Sequence, residues 1–573
     1  MSVLAPARRV IQVGWSGALA NVAVPAAVAA AVGLPILFLL MSSFNISRPA
    51  RPAEYGLDNW VRAFSDVETM RSLWNSLAIG GIYTLISMPI GIALAWLVTR
   101  TDLPGRGWIE ALAWLGVFVP QLPLVFGWIL ILDPRFGLFN QALQTLPFMQ
   151  DASFNVYSYA GIIWVHLASG AIYYKVVLLA PAFRRLGSSL EEAARTSGAG
   201  QLEMFRRVTV PVLAPAMLAV LILSFVRSLE SFETELLLGR PAGIFVYSTS
   251  IFTFLKEDPP RFGEATALGS LFLVLLIALA LLYRRAIAGR QYATVTGRGD
   301  ALRLYELGRL RWPLSILCFA FFAIALAAPA ALLGAGSFMR RFGFFQIRDA
   351  FTAVHWQDLF ADPIFASSIA NTLLIATGTA LVVVVVYSLV AYFVTRGRSA
   401  TAPLVDVLAW LPWALPGILL GLGLLWLFLA TPLRTALYGT ILGIILALAI
   451  KDSPLSTQLF KAAFLQIGKD LEDSARVHGA SWLMAYRRVH LPLIAPAALT
   501  VGLLSFVSAT RDISVPVLLY SPSSRPLSIL MLEYTFTGER ERGAAIGVLV
   551  TVFVMLLMVG TRLFARRLLR ERA

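Results

Sequence analysis

The feature that most restricts the fold is a charged stretch that the chain contains twice, each time set among long apolar runs. Leu190 to Pro215 reads LEEAARTSGAGQLEMFRRVTVPVLAP, and Leu471 to Pro496 reads LEDSARVHGASWLMAYRRVHLPLIAP. At one constant offset Glu192 aligns with Asp473, Ala194 with Ala475, Gly198 with Gly479 and Ala199 with Ala480. Phe205 then aligns with Tyr486, Arg206 and Arg207 with Arg487 and Arg488, and Pro211 and Pro215 with Pro492 and Pro496. Such a chain must build two like units. Charges are costly in lipid, so a charged segment repeated between apolar runs is placed to meet another protein.

The likeness extends upstream and downstream. LAWL at Leu112–Leu115 with Pro120 recurs at Leu408–Leu411 with Pro416, and Asn75 with Thr99-Arg100 recurs as Asn371 with Thr395-Arg396. LSFV at Leu223–Val226 returns at Leu504–Val507. The copies run in the same order and their basic loops fall on one side. These are parallel repeats about an axis along the membrane normal, not an inverted pair.

Composition decides the class. The 573 residues are 58% hydrophobic and 14% charged, which predicts an all-α polytopic membrane protein rather than a soluble enzyme. The net charge of +15 does not point to nucleic acid, because the arginines cluster in alternate short loops, the positive-inside signature. Cys318 is the only cysteine, which excludes an intramolecular disulfide framework or a thiolate cluster. His166, His355, His478 and His490 lie far apart and form no metal motif.

Twelve spans are expected. The first six lie near 17–44, 75–98, 108–132, 158–180, 211–229 and 265–283. The second six lie near 313–333, 369–394, 405–429, 438–450, 492–509 and 544–564. The first run is too long for the apolar core of a signal peptide and is read as a retained span. The segment at 438–450 is short and must tilt or extend into Pro454–Leu465. This divides the chain into a first transmembrane domain (1–290), an arginine-rich cytoplasmic linker (291–311) and a second transmembrane domain (312–573), with both termini cytoplasmic.

Each repeated loop reads locally as helix, turn, helix across the membrane face. Ser188 and Ser189 stand three residues before Glu191 and Glu192, a capping-box pattern, and Asp470 before Asp473 offers a weaker acidic version. Gly198 and Gly479 suit a left-handed turn, and Pro211 or Pro492 suits the first turn of a new span. The plain alternative is a solvated loop whose arginines only set topology.

The motif Glu192, Ala193, Ala194, then Gly198, Ala199 and the aromatic Phe205 resembles the EAA loop of permease subunits of binding-protein-dependent ABC importers. The second copy departs from it with Asp473 and Ser474, while Ala475, Gly479, Ala480 and Tyr486 keep the pattern. The resemblance covers nearly the whole chain as two fused permease domains. It implies ATPase coupling at these positions, a homodimeric ABC ATPase on the cytoplasmic side and a periplasmic or extracellular solute-binding protein on the other. It also implies a bacterial inner-membrane location, with ATP and magnesium held by the ATPase and no cofactor on this chain. Consistent with that, Gly468-Lys469 is followed by Asp470 and no phosphate-binding Gly-Lys-Ser or Gly-Lys-Thr loop occurs. Leu237–Phe252 and Arg511–Pro522 resemble ferric-iron-type permeases, a group similar also to thiamine, phosphonate and polyamine permeases.

For the path itself, Glu230 and Glu233 stand three apart, as on one helix face near the outer mouth, and Arg511 and Asp512 occupy the matching stretch of the second half. Carboxylates suit ferric iron or an organic cation, whereas Arg227 and Arg511 suit an anion. The plain reading is interfacial charges or ion pairs between the halves. His166 reads as a helix-packing hydrogen bond, Lys175 as a snorkelling end, and Gly417, Gly421 and Gly423 as close helix packing. A secondary transporter would need coupling-ion residues at mid-span, and the acidic residues here sit mostly at loop edges. A membrane enzyme would need a catalytic cluster, and none presents itself.

Overall fold

The computed structural model describes residues 15–47, 52–150, 153–186, 194, 196–198, 200–288, 304–396 and 400–571. Among them the only β pairings are three isolated bridges, and the architecture is helical. The long helices and the parts of broken ones in the first half are α1 (Trp15–Phe44), α2 (Val67–Arg100), α3 (Arg106–Phe118), α4 (Gln121–Leu132), α5 (Tyr159–Arg185), α6 (Phe205–Ser228) and α7 (Phe262–Ala288). The second half has α8 (Gly308–Ser337), α9 (Pro363–Arg396), α10 (Ala402–Trp410), α11 (Gly417–Ala430), α12 (Ile441–Gln466), the short α13 (Lys469–Val477), α14 (Trp482–Arg511) and α15 (Arg540–Glu571).

Local chemistry explains the helix starts. Asp66, Ser158 and Thr440 each accept a hydrogen bond from a backbone N–H of the first turn that follows. The short apolar run at 438–450 becomes the 26-residue α12, extended through Pro454 as its length demanded.

Among the described residues ten helices are long and apolar enough to cross a membrane, or twelve if each bent pair is one span. The two bent pairs correct the expectation of plain spans near 108–132 and 405–429. The chain turns by 103° between α3 and α4, and by 111° between Ala402–Trp413 and α11. The cause is proline, which pushes the residue before it out of the helical region. Val119 before Pro120 has ψ 131, and Leu415 before Pro416 has ψ 108. The helices that follow are apolar on all sides, and nearly every residue of α4 and α11 is buried.

Pro211 and Pro492 do not open new spans, contrary to the sequence expectation. The helix runs through both, because one wide turn precedes each. Val210 N–H bonds Phe205 C=O, and Leu491 N–H bonds Tyr486 C=O, five residues back in both halves. A π turn of this kind absorbs the hydrogen bond that proline cannot donate.

The first helix of each half reaches into the other. α1 packs on α7 and on the broken pair α10–α11, while α8 packs on the broken pair α3–α4 and on α15. The closest approaches match across the repeat. A Cβ on Gly127 of α4 would collide with Pro329 C=O of α8, and one on Gly423 of α11 would stand 2.5 Å from Pro35 C=O of α1. One apolar core runs through both halves. It joins Val125, Phe126 and Leu130 to Leu333 and Phe342, and Leu39 and Phe272 to Leu419 and Leu422.

Candidate functional site

The second repeated loop shows how its residues are held. α13 turns Glu472 inward and Asp473 outward. Glu472 is 6% exposed and accepts hydrogen bonds from Tyr392 Oη (2.9 Å) on α9 and His490 Nε2 (3.2 Å) on α14. Asp473 is exposed. Tyr486 is buried with its hydroxyl 2.7 Å from Ser388 Oγ. Ala480 N–H closes the turn onto Ala475 C=O (3.0 Å), with both alanines half-buried. Gly479 has φ +83, the left-handed turn the sequence predicts, and no atom lies within 4 Å of a Cβ built there. Around it Val477, Trp482, Leu483 and Met484 are exposed, an apolar surface beside an acidic one.

In the first loop Glu192 and Ala199, with Ser188, Ser189 and Glu191, lie outside the described residues. Ala194 is half-buried. Gly198 repeats the turn at φ +85, and among the described residues no atom lies within 4 Å of a Cβ built there. Phe205 sits edge-on to Trp96 at 5.5 Å.

Four residues that anchor these loops carry no weight in the motif. Arg100, wholly buried, donates from Nη1 to Leu186 C=O (3.2 Å), and Arg396 donates from Nη2 to Phe464 C=O (2.8 Å) and to Ile467 C=O. Each arginine thereby ties the end of α2 or α9 to the chain leaving α5 or α12, where helix carbonyls lack partners. Their signal was present, since Thr99-Arg100 and Thr395-Arg396 are repeated. Glu472 is repeated too, as Glu191, whereas His490 had no such signal, since Thr209 stands at its place. The motif puts its weight on position 473, and only the fold shows that its neighbour faces inward.

Along the seam the four path candidates separate. Glu230 lies in the turn after α6 and Glu233 begins the next helical turn, so they do not share one helix face as expected. Both are half-buried. Asp512 is buried, takes a hydrogen bond from Lys451 Nζ and caps Val515 N–H at 3.1 Å. Arg511 crosses the seam. Its Nη1 donates to Val117 and Phe118 C=O of α3 at 3.0 Å, satisfying carbonyls left open where that span breaks. Arg227 stacks over the Tyr174 ring at 4.9 Å.

His166 makes the packing hydrogen bond the sequence predicts, to Glu235 Oε1 at 2.8 Å, while stacking on Tyr83 at 4.5 Å. Gln121 Nε2 joins this buried group at His166 Nδ1 (3.3 Å) and donates to Thr234 Oγ1 at 2.8 Å. Lys175 is a correction, since it does not snorkel. It is 1% exposed and its stem packs on Gly91 of α2. Gly417, Gly421 and Gly423 do mark close packing, against Ser514, Val515 and Pro35. No group of three or more His, Cys, Asp or Glu able to hold a metal ion occurs among the described residues.

Comparison with known proteins fits this geometry. The profile of the family described as binding-protein-dependent transport system inner membrane component matches residues 87–292 and again residues 385–570. A probable ABC transporter permease protein of Sinorhizobium fredii, y4fN, is 27% identical over 519 residues, covering 87% of both chains. The ferric transport system permease protein FbpB of Actinobacillus pleuropneumoniae is 26% identical over 506 residues, 87% of this chain and 72% of that one. The sulfate transport system permease protein CysT of Salmonella typhimurium is 33% identical over 199 residues, 34% of this chain and 66% of that one. Matched twice and over more than half its length, the chain belongs to the binding-protein-dependent transport system inner membrane component family and is a multi-pass ABC importer permease with two repeats in one polypeptide.

Proposed function

We propose that this permease lines the translocation path for ferric iron, and that a separate two-fold ABC ATPase drives it by gripping the loops around Gly198 and Gly479. The observation that carries the coupling is the pair of left-handed glycine turns, at φ +85 and +83, at matching places in the repeat, with none of the described residues within 4 Å of a Cβ at either. Asp473 and the exposed apolar side chains beside Gly479 supply the face an ATPase would grip, and Ala194, Phe205, Ala475, Ala480 and Tyr486 its support. Glu192 and Ala199 belong to the same reading by their place in the motif. Basic loops put this face, the linker and both termini on the cytoplasmic side. A soluble solute-binding protein then delivers cargo to the opposite face.

Ferric iron rests on the length of the resemblance. The ferric permease of Actinobacillus pleuropneumoniae aligns with 87% of this chain, both repeats included. Half-buried Glu230 and Glu233 offer hard oxygen ligands beside the seam, with no closed cage among the described residues, which suits passage rather than storage. An oxyanion is the competing cargo, favoured by Arg227, which lies over the Tyr174 ring, and by Arg511 across the seam.

The test is ATP hydrolysis by the permease–ATPase complex in lipid, with solute-binding protein added empty, ferric-loaded or oxyanion-loaded. Stimulation by the ferric form alone supports the reading. Stimulation by the oxyanion form alone replaces the cargo and leaves the pump. Solute uptake with no ATPase in the complex would return a secondary transporter.

A further inference from the structure

The coupling reading leaves one buried contact unused, at the C-terminal end of the segment that joins the halves. Tyr305 precedes α8 and is 5% exposed, although its neighbour Glu306 is exposed. Its backbone pairs with the turn between α2 and α3. Tyr305 N–H donates to Arg100 C=O (2.8 Å), and Asp102 N–H donates to Tyr305 C=O (3.0 Å). Leu307 N–H adds a bond to Asp102 Oδ1 at 2.8 Å. The linker end is therefore fixed to the first half as a short parallel bridge, not draped across it.

The side chain then reaches the first repeated loop. Its ring lies 5.9 Å from Trp96 and under the Arg100 guanidinium at 5.9 Å. Its hydroxyl donates to Met204 Sδ at 3.5 Å. Trp96 is the residue that supports Phe205, and Arg100 is the residue that holds Leu186 C=O. Tyr305 thus touches the supports on both sides of the loop, before it at Leu186 and after it at Met204 and Phe205.

The second loop is seated otherwise, by the polar group Tyr392, Glu472 and His490. At the matching places the first half has Trp96 for Tyr392 and Thr209 for His490, while Glu191, the counterpart of Glu472, lies outside the described residues. At the first loop a buried tyrosine supplies both ring contact and a polar tip.

We infer that Tyr305 is a positioning residue for the first coupling loop, so that the linker forms part of the seat through which the ATPase acts. This rests on the coupling function proposed above for that loop. The linker is then more than a tether.

The experiment uses the full-length permease in lipid nanodiscs, where both faces are open. Limited trypsin digestion reads cleavage after Arg206 and Arg207 in the first loop and after Arg487 and Arg488 in the second, all four being exposed. In Tyr305→Ala, first-loop cleavage rises by roughly three- to tenfold, because cleavage follows the opened population, and second-loop cleavage does not change. Equal acceleration at both loops, or none, overturns the inference. Asp102→Ala removes the bond to Leu307 without touching the tyrosine, shifts cleavage the same way by less, and carries the test if the tyrosine variant does not fold. In the reconstituted importer Tyr305→Ala also lowers solute moved per ATP hydrolysed. Normal transport in Tyr305→Ala together with lost transport in Gly198→Trp would sink the role of Tyr305. Normal transport in both would sink the coupling reading instead, while the cleavage result would still judge the seat.

Discussion

Gly198 and Gly479 separate two effects that usually come together in a glycine substitution. At φ +85 and +83 the left-handed backbone costs any L-residue about 1–2 kcal/mol. Among the described residues no neighbour within 4 Å adds a clash, so size by itself should cost the isolated permease little. Alanine at either position should therefore lower stability by about that amount and largely keep transport. Tryptophan should lower stability no more, yet abolish ATPase association, because its bulk fills the space a partner must enter. Melting of the purified variants and co-purification with the ATPase would check both; equal association by alanine and tryptophan variants would remove the turns from the interface. Glu472 makes a second residue-level point. Asp473 keeps the motif's charge facing out, while Glu472 holds α13 to Tyr392 and His490.

At the scale of elements, the contacts that decide the fold are those between the exchanged first helices and the broken spans. Gly127 and Gly423 allow α4 and α11 to lie against backbone carbonyls of α8 and α1, at distances where a methyl group cannot fit. A carbonyl in a packed helix cannot swing aside as a flexible side chain can. Gly127→Ala and Gly423→Ala should each cost about 1–3 kcal/mol, as overpacking does. At Gly334 in α8 an added methyl group would have nothing within 4 Å, so Gly334→Ala should be neutral or slightly stabilising. Thermal unfolding of the three variants in one detergent compares them directly, and equal losses would show that the close approaches are not what the glycines serve.

At the scale of the whole molecule, parallel repeats require both repeated loops on one face. The single native thiol helps here, because Cys318 is buried and gives little background. Ser197→Cys and His478→Cys place thiols at exposed turn positions of the two loops. A membrane-impermeant maleimide should label both in inside-out vesicles and neither in intact cells. Labelling of the two from opposite sides would turn the parallel pair into an inverted one and overturn the coupling model. The exchange of α1 and α8 also means that the halves defined along the chain interlock in space, so they should separate only with disruption of the common core.

Periodic apolar runs, basic loops and a constant offset between two charged stretches were enough to establish a helical membrane protein of two parallel repeats. These are properties of local composition and order, which lipid and charge read directly along the chain. The left-handed glycine turns were legible for the same reason, since backbone freedom belongs to the residue itself. Contacts between distant parts of the chain were not. The 103° break at Pro120, the passage of α8 against Gly127, the burial of Lys175, the inward turn of Glu472 and the reach of Arg511 to Val117 all depend on which surface meets which. Only packing sets those choices, because an apolar helix is equally content against many partners until shape and the remaining polar groups select one.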